Sequence, residues 1–198
     1  MDPHEDQNSC HKGWYSRGYL PHLDSAGVIQ SVTFRLADSM PASRLEQWKT
    51  EAKTIGYPRL VLQRAADWLD AGHGACHLTD ARVAAVVEKT LLYFDQEKYR
   101  MLAWVIMPNH VHVLAEILND GRLPDIVRTW KAFSARKANE ILGRRGRFWQ
   151  ADYFDRFIRD DTHLAKAKRY IHQNPVKAGL VDYPEAWPFS SANPKWGR

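Results

Sequence analysis

Two histidines in Pro108-Asn109-His110-Val111-His112, and a tyrosine and an amide in Tyr170-Ile171-His172-Gln173-Asn174-Pro175, are the residues of this chain whose types and spacing can do chemistry. Residues two apart in a strand share a face, so His110 and His112 present two imidazoles to one point while Val111 turns away. That is two thirds of a metal site. Tyr170 and Asn174, four apart, are neighbours on a helix, so one helical face offers a phenol and an amide oxygen together. The amide can complete the metal set and the phenol can attack a phosphodiester. Each part also has an ordinary structural use, as a hydrogen-bonded core histidine, a packed helical tyrosine or a helix end before proline.

The elements that must position these groups follow from periodicity. Residues 28–36 alternate, with Val28, Gln30, Val32, Phe34 and Leu36 on one face, and read as a first strand. Helical stretches are expected over about 44–53 and 58–69, ended by Gly72-His73-Gly74. Thr79-Asp80 starts a longer helix reaching to about residue 96. Residues 99–107 and 110–117 read as two strands joined by a short turn, with the histidines on the second. Residues 123–142 form an amphipathic helix with charges outward, placed where it can border a DNA groove. Residues 152–158 add a strand, and Asp160-Asp161-Thr162 caps a helix that is expected to stop near Asn174 because proline follows. The pattern predicts an α+β sandwich, a mainly antiparallel sheet with helices packed on one face.

With 198 residues and 44% hydrophobic content, the chain suffices for one domain with a real core. Residues 1–198 are read as that single domain, with 1–17 a flexible arm and 181–198 an irregular tail. There is no run of eighteen apolar residues and the first residues are polar, so no membrane partner and a cytoplasmic location are expected. Cys10 and Cys76 are too few for a disulfide framework and are read as free thiols. The net charge is +5, but residues 121–198 hold 16 Lys and Arg against 8 Asp and Glu while the remainder is slightly acidic. A local basic surplus of this kind neutralises phosphates. Lys131, Arg136, Lys137, Arg144, Arg145 and Arg147 are its candidate DNA contacts. A solvated helix face is the plain alternative.

Several motifs together resemble the HUH single-strand nucleases with one catalytic tyrosine, most closely the REP-associated tyrosine transposases. They are Met107-Pro108-Asn109-His110-Val111-His112, Phe148-Trp149-Gln150-Ala151-Asp152-Tyr153-Phe154-Asp155-Arg156, Arg169-Tyr170-Ile171 and Asn174-Pro175-Val176-Lys177-Ala178-Gly179-Leu180. The resemblance implies a ferredoxin-like fold, RRM-like in outline, and a single-stranded hairpin DNA partner. It also implies Tyr170 as nucleophile through a 5′-phosphotyrosine, and a divalent ion, magnesium or manganese, on His110, His112 and Asn174. Arg156 and Arg159, and in the N-terminal segment Arg17 and Tyr19 beside Trp14 and Tyr15, are further candidate DNA contacts, the aromatics by stacking on unpaired bases. Tyr153 and Tyr183 are rival nucleophiles, but neither has an amide or carboxylate four residues on. Two other functions remain open: a domesticated hairpin-binding protein that does not cut, and a metal hydrolase of small molecules. The basic surplus and the lack of a carboxylate near the histidines weigh against the second, although Glu116 and Asp120 follow on the same strand or its end and a Glu116 turned inward would favour it. Monomer and homodimer are both compatible with the sequence.

Overall fold

The computed structural model describes residues 11–16, 21–56, 59–118 and 121–196. Arg17, Tyr19, Cys10 and Asp120 lie outside the described residues. A short antiparallel hairpin comes first, β1 (Gly13–Ser16) with β2 (Pro21–Asp24). Then follow β3 (Ile29–Arg35), α1 (Ala42–Thr54), α2 (Arg59–Asp70), α3 (Ala81–Leu92), β4 (Tyr99–Ile106), β5 (His110–Ile117), α4 (Leu123–Ile141), β6 (Phe154–Phe157) and α5 (Asp161–Lys177). The main sheet has the order β4-β5-β3-β6 with every neighbour antiparallel. Setting aside the β1–β2 hairpin and the α1–α2 pair, the order β3-α3-β4-β5-α4-β6 is the ferredoxin-like β-α-β-β-α-β pattern. The α+β class and the antiparallel sheet are those expected.

The alternation of apolar residues decides which face each helix covers. On β3, Gln30, Val32 and Phe34 are buried as the pattern requires. On β5, Val111, Val113, Ala115 and Ile117 join Val83, Val87 and Leu91 of α3 and Leu123, Val127 and Trp130 of α4 in the larger core. Trp130 is 2% exposed, and its indole Nε1 donates to the Tyr99 hydroxyl at 3.0 Å, which in turn donates to the Leu91 carbonyl at 2.6 Å. A buried indole keeps its bulk in the core only because its polar atom is satisfied. The opposite sheet face is also covered. Ala103, Val105, Met107 and Leu114 pack there against Ile171 of α5. The helices therefore lie on both faces, with α5 packed on the side to which His110 and His112 point.

Two element ends differ from expectation. The helix expected to reach about residue 96 stops at Leu92, because Gln96 takes a positive φ of 72° and its N–H bonds the Tyr99 carbonyl at 2.7 Å, forming the turn into β4. In the other direction, α5 runs through Pro175 to Lys177 rather than stopping near Asn174. Proline costs one ladder bond but its φ suits a helix. The stop is Gly179, at φ 68°, where Gly179 N–H bonds the Val176 carbonyl and Leu180 N–H bonds the Pro175 carbonyl, both at 2.9 Å. Those bonds satisfy the last carbonyls in the manner of a glycine C-cap.

The C-terminal stretch is irregular but anchored. Phe189 and Ser191 exchange backbone bonds with Ile106 and Trp104 at 2.9 Å, and the Trp187 indole donates to the Ile106 carbonyl. This covers the outer edge of β4, which would otherwise offer unpaired backbone groups.

Candidate functional site

Parity on β5 places His110 and His112 on the α5 side of the sheet, both buried. Their Nε2 atoms are 2.9 Å apart and the rings stand nearly perpendicular, at 83°. The surrounding hydrogen bonds assign the tautomers. Asn109 Nδ2 donates to the His73 carbonyl at 2.8 Å, so the Asn109 oxygen faces His110 Nδ1 at 2.7 Å and accepts its proton. His110 Nε2 therefore carries a lone pair. His112 Nδ1 lies 2.7 Å from the hydroxyl of Thr33, its cross-strand partner on β3. A hydroxyl can donate or accept, so His112 can bond His110 through Nε2–H or shift its proton to Nδ1 and free Nε2 without losing the Thr33 contact. Burial holds both imidazoles neutral. The His110 pKa is driven well below the ordinary histidine value by burial and then by His112, and burial takes His112 down to about 3. Neutral imidazole is the metal-binding form.

The α5 helix brings Tyr170 and Asn174 to the same side. The Tyr170 ring lies 5.4 Å from that of His112, centroid to centroid, and is 39% exposed. Burial, and next the charge of Asp70, push its phenol up to about 12. Asn174 is 1% exposed, and neither its amide oxygen nor its nitrogen has a hydrogen-bond partner. Buried amide atoms left unpaired cost free energy, and these are available to a further ligand.

The structure also adds a carboxylate that the linear sequence hides. Asp70, the last residue of α2, puts Oδ1 3.8 Å from His110 Nε2, and the ligand atoms of Asp70, His110 and His112 all lie within 4.8 Å of one another. This triad can hold a divalent metal. The end of α2 is fixed by the Trp68 indole, which donates to the Ser39 carbonyl at 2.9 Å and stacks on His73, the residue whose carbonyl binds Asn109. Asp67 and Asp70, three apart at a helix end, look in sequence like an ordinary solvated terminus. Only the docking of the α1–α2 pair turns Asp70 inward, so the lack of a carboxylate near the histidines does not carry into three dimensions. Glu116 is not that carboxylate. It sits at the far end of β5, paired with Arg100 on β4.

The rival tyrosines have other surroundings. Tyr153 is 5% exposed and its hydroxyl meets that of Tyr15 at 3.0 Å, while its ring packs on His22. Asp155 bonds His22 Nδ1 and accepts from Leu23 N–H at 3.1 Å. The Tyr153-Phe154-Asp155 motif thus docks the N-terminal hairpin on the sheet.

The candidate DNA contacts are spread out. The α4 helix lies across the sheet from the imidazoles, so it does not border them. Its Lys131 ammonium binds the carbonyls of Ala151 at 2.6 Å and Asp152 at 3.4 Å. Arg136 is exposed above Phe133, and Lys137 pairs with Glu140 at 3.0 Å. Arg144 lies over Phe148, with Arg145 and Arg147 exposed beside it. This loop leads into Trp149, which bridges to Leu36, and Leu36 N–H bonds the Asn109 carbonyl, so it shares the sheet end of His110. Arg156 is exposed on the edge strand β6, and Arg159 is exposed above Phe157.

Residues 78–174 match the family "Transposase IS200 like". Two curated proteins of Haemophilus influenzae are similar in sequence. One, named as a candidate REP-associated tyrosine transposase, is 31% identical over 103 residues, 47% of this chain and 58% of that protein. An uncharacterized protein is 31% identical over 114 residues, 45% of this chain and 60% of that one. The chain therefore spans less than two thirds of the length of either relative. A solved REP-associated tyrosine transposase bound to a REP hairpin shares the fold, with a TM-score of 0.52 and 18% identity over 86% of this chain and 79% of that one. The matched stretch takes in both histidines, Tyr170 and Asn174, and through it the chain is similar to IS200-like transposases and to a REP-associated tyrosine transposase, whose fold it shares.

Proposed function

We propose that this protein is a metal-dependent single-strand DNA endonuclease and strand transferase that acts on hairpin DNA through Tyr170. The observation that carries the reading is the convergence of a neutral imidazole pair, a buried unpaired amide and a partly exposed phenol at one end of the sheet. His110, His112 and Asn174 would hold the ion. A bound magnesium or manganese would act there as a Lewis acid on the scissile phosphate. The Tyr170 oxygen attacks phosphorus, the P–O3′ bond breaks, and the departing 3′ oxygen takes up a proton, leaving a 5′-phosphotyrosine. A later 3′-hydroxyl reverses the step, and that reversibility serves strand transfer. Because the phenol is held protonated at neutral pH, its proton must leave as the bond to phosphorus forms.

The basic loop at Arg144, Arg145 and Arg147, at the His110 end of the sheet, supports a nucleic-acid substrate. So do Arg156 and Arg159, with Lys131, Arg136 and Lys137 adding to the general field. Asp70 improves the donor set that a small-molecule hydrolase would need, but the exposed tyrosine beside the imidazoles and this basic surface favour DNA.

The test is incubation with labelled single-stranded hairpin DNA and manganese, followed by a denaturing gel. Wild type is expected to give a covalent protein–DNA band that Tyr170→Phe and His112→Ala both lose. Salt-sensitive hairpin binding with no band in wild type would instead favour a binding protein that no longer cuts.

A further inference from the structure

The Asp70 carboxylate is held from two sides. Oδ1 is buried, has no hydrogen-bond partner and faces the imidazoles, whereas Oδ2 accepts from the Lys177 ammonium at 2.7 Å. Lys177 also reaches Asp67 at 3.5 Å. On α5, Tyr170, Asn174 and Lys177 are spaced i, i+4 and i+7, so they form one stripe that faces the site. Lys177 stands on that stripe only because the helix continues past Pro175. Both Asp70 and Lys177 fall outside residues 78–174, the stretch that carries the family match.

Building on the metal-dependent reading above, we propose that Asp70 ligates the divalent ion through Oδ1 while Lys177 holds its Oδ2, so that metal loading fastens the helix carrying the nucleophile. Two ligand atoms ~2.1 Å from one ion at a right angle stand about 3 Å apart, matching the separation of the imidazole nitrogens. The 3.8 Å between Asp70 Oδ1 and His110 Nε2 exceeds that spacing by less than about 1 Å, so a small closure of the carboxylate brings it into range. Ligating carboxylates are ordinarily hydrogen-bonded in turn by a neighbouring group that fixes their aim. Lys177 is such a group, and it belongs to the helix that must stay docked for Tyr170 to be in line. The α1–α2 pair thereby acquires a role, since it carries the third donor and receives the tether.

The experiment is a calorimetric Mn²⁺ titration of the DNA-free protein, with hydrogen exchange of α5 measured in parallel. Asp70→Asn is expected to weaken Mn²⁺ binding about ten-fold or more. Asp67→Asn, which removes the same charge from the same lysine, should leave affinity within about two-fold, because that carboxylate does not face the imidazoles. Mn²⁺ should slow exchange in the last turns of wild-type α5 and fail to do so in Lys177→Met. Wild-type affinity in Asp70→Asn, equal losses in the two aspartate variants, or full α5 protection in Lys177→Met would each overturn the proposal. Should Asp70→Asn not fold, Asp70→Cys decides: a thiolate ligand must raise Cd²⁺ affinity above wild type, and no gain overturns the assignment. Weakened Mn²⁺ binding in Asp70→Asn together with no covalent DNA adduct in wild type would uphold this ligand while failing the nuclease reading.

Discussion

At the residue scale, each chemical group is set by one or two neighbours that can be named. His110 is fixed in tautomer by Asn109, and Asn109 in orientation by the His73 carbonyl. His112 depends on Thr33, whose hydroxyl can switch between donating and accepting. Thr33→Val keeps the shape of the side chain and removes that partner. It is expected to weaken Mn²⁺ binding by about ten-fold, the usual loss when an imidazole ligand loses its orienting group. Calorimetry on a variant with wild-type circular dichroism checks this, and unchanged affinity would show that strand packing alone orients the ring.

At the element scale, the site needs the β4–β5 turn, the end of α2 and the face of α5 at fixed spacings. Each is enforced by a local device. Gly121, between β5 and α4, shows how tight these junctions are, since a Cβ there would stand 2.0 Å from the Lys98 carbonyl oxygen. Backbone atoms cannot yield as a flexible side chain does. Gly121→Ala is therefore expected to cost on the order of 3 kcal/mol, the upper range for overpacking. Urea denaturation measures it, and a loss below half that figure would mean that the loop simply moves aside. The helix ends were legible only in part. The alternation of β3 and the apolar run of β5 read correctly because sheet burial imposes a period of two. The end of α5 did not, because a proline inside a helix and one after it look alike in sequence until Gly179 is seen capping the last turn.

At the scale of the whole molecule, both faces and both edges of the sheet are accounted for: α3 and α4 on one face, α5 on the other, the C-terminal stretch along β4, and the β1–β2 hairpin beside β6. The hairpin is held by polar contacts as well as by rings packed on Tyr153 and Phe157. Asp155 meets both His22 and Leu23 N–H, and burial raises its pKa above the usual carboxylate range. Asp155→Ala should release the hairpin while the sheet stays folded. Hydrogen exchange is expected to rise in residues 21–24 with the β3–β5 amides unchanged, and uniform acceleration would show instead that the hairpin and the sheet unfold together. Among the described residues no helix is long and apolar enough to cross a membrane.

The sequence by itself determined the strand carrying His110 and His112, the helix carrying Tyr170 and Asn174, the α+β class and the resemblance to the tyrosine transposases. All of these follow from short-range periodicity or from motifs that are contiguous in the chain. What only the tertiary structure decided is which distant groups meet. Asp70 is separated from His110 by a whole helix and a strand, and no local pattern distinguishes it from Asp67 beside it. Its inward aim comes from the Trp68 indole of α2, which bonds the Ser39 carbonyl and stacks on the His73 ring. In the same way, the basic character of α4 was plain from composition, but its place behind the sheet, away from the imidazoles, follows from which face of β5 is apolar. Contacts of this kind arise from the burial of surfaces far apart in sequence, and linear spacing carries no record of them.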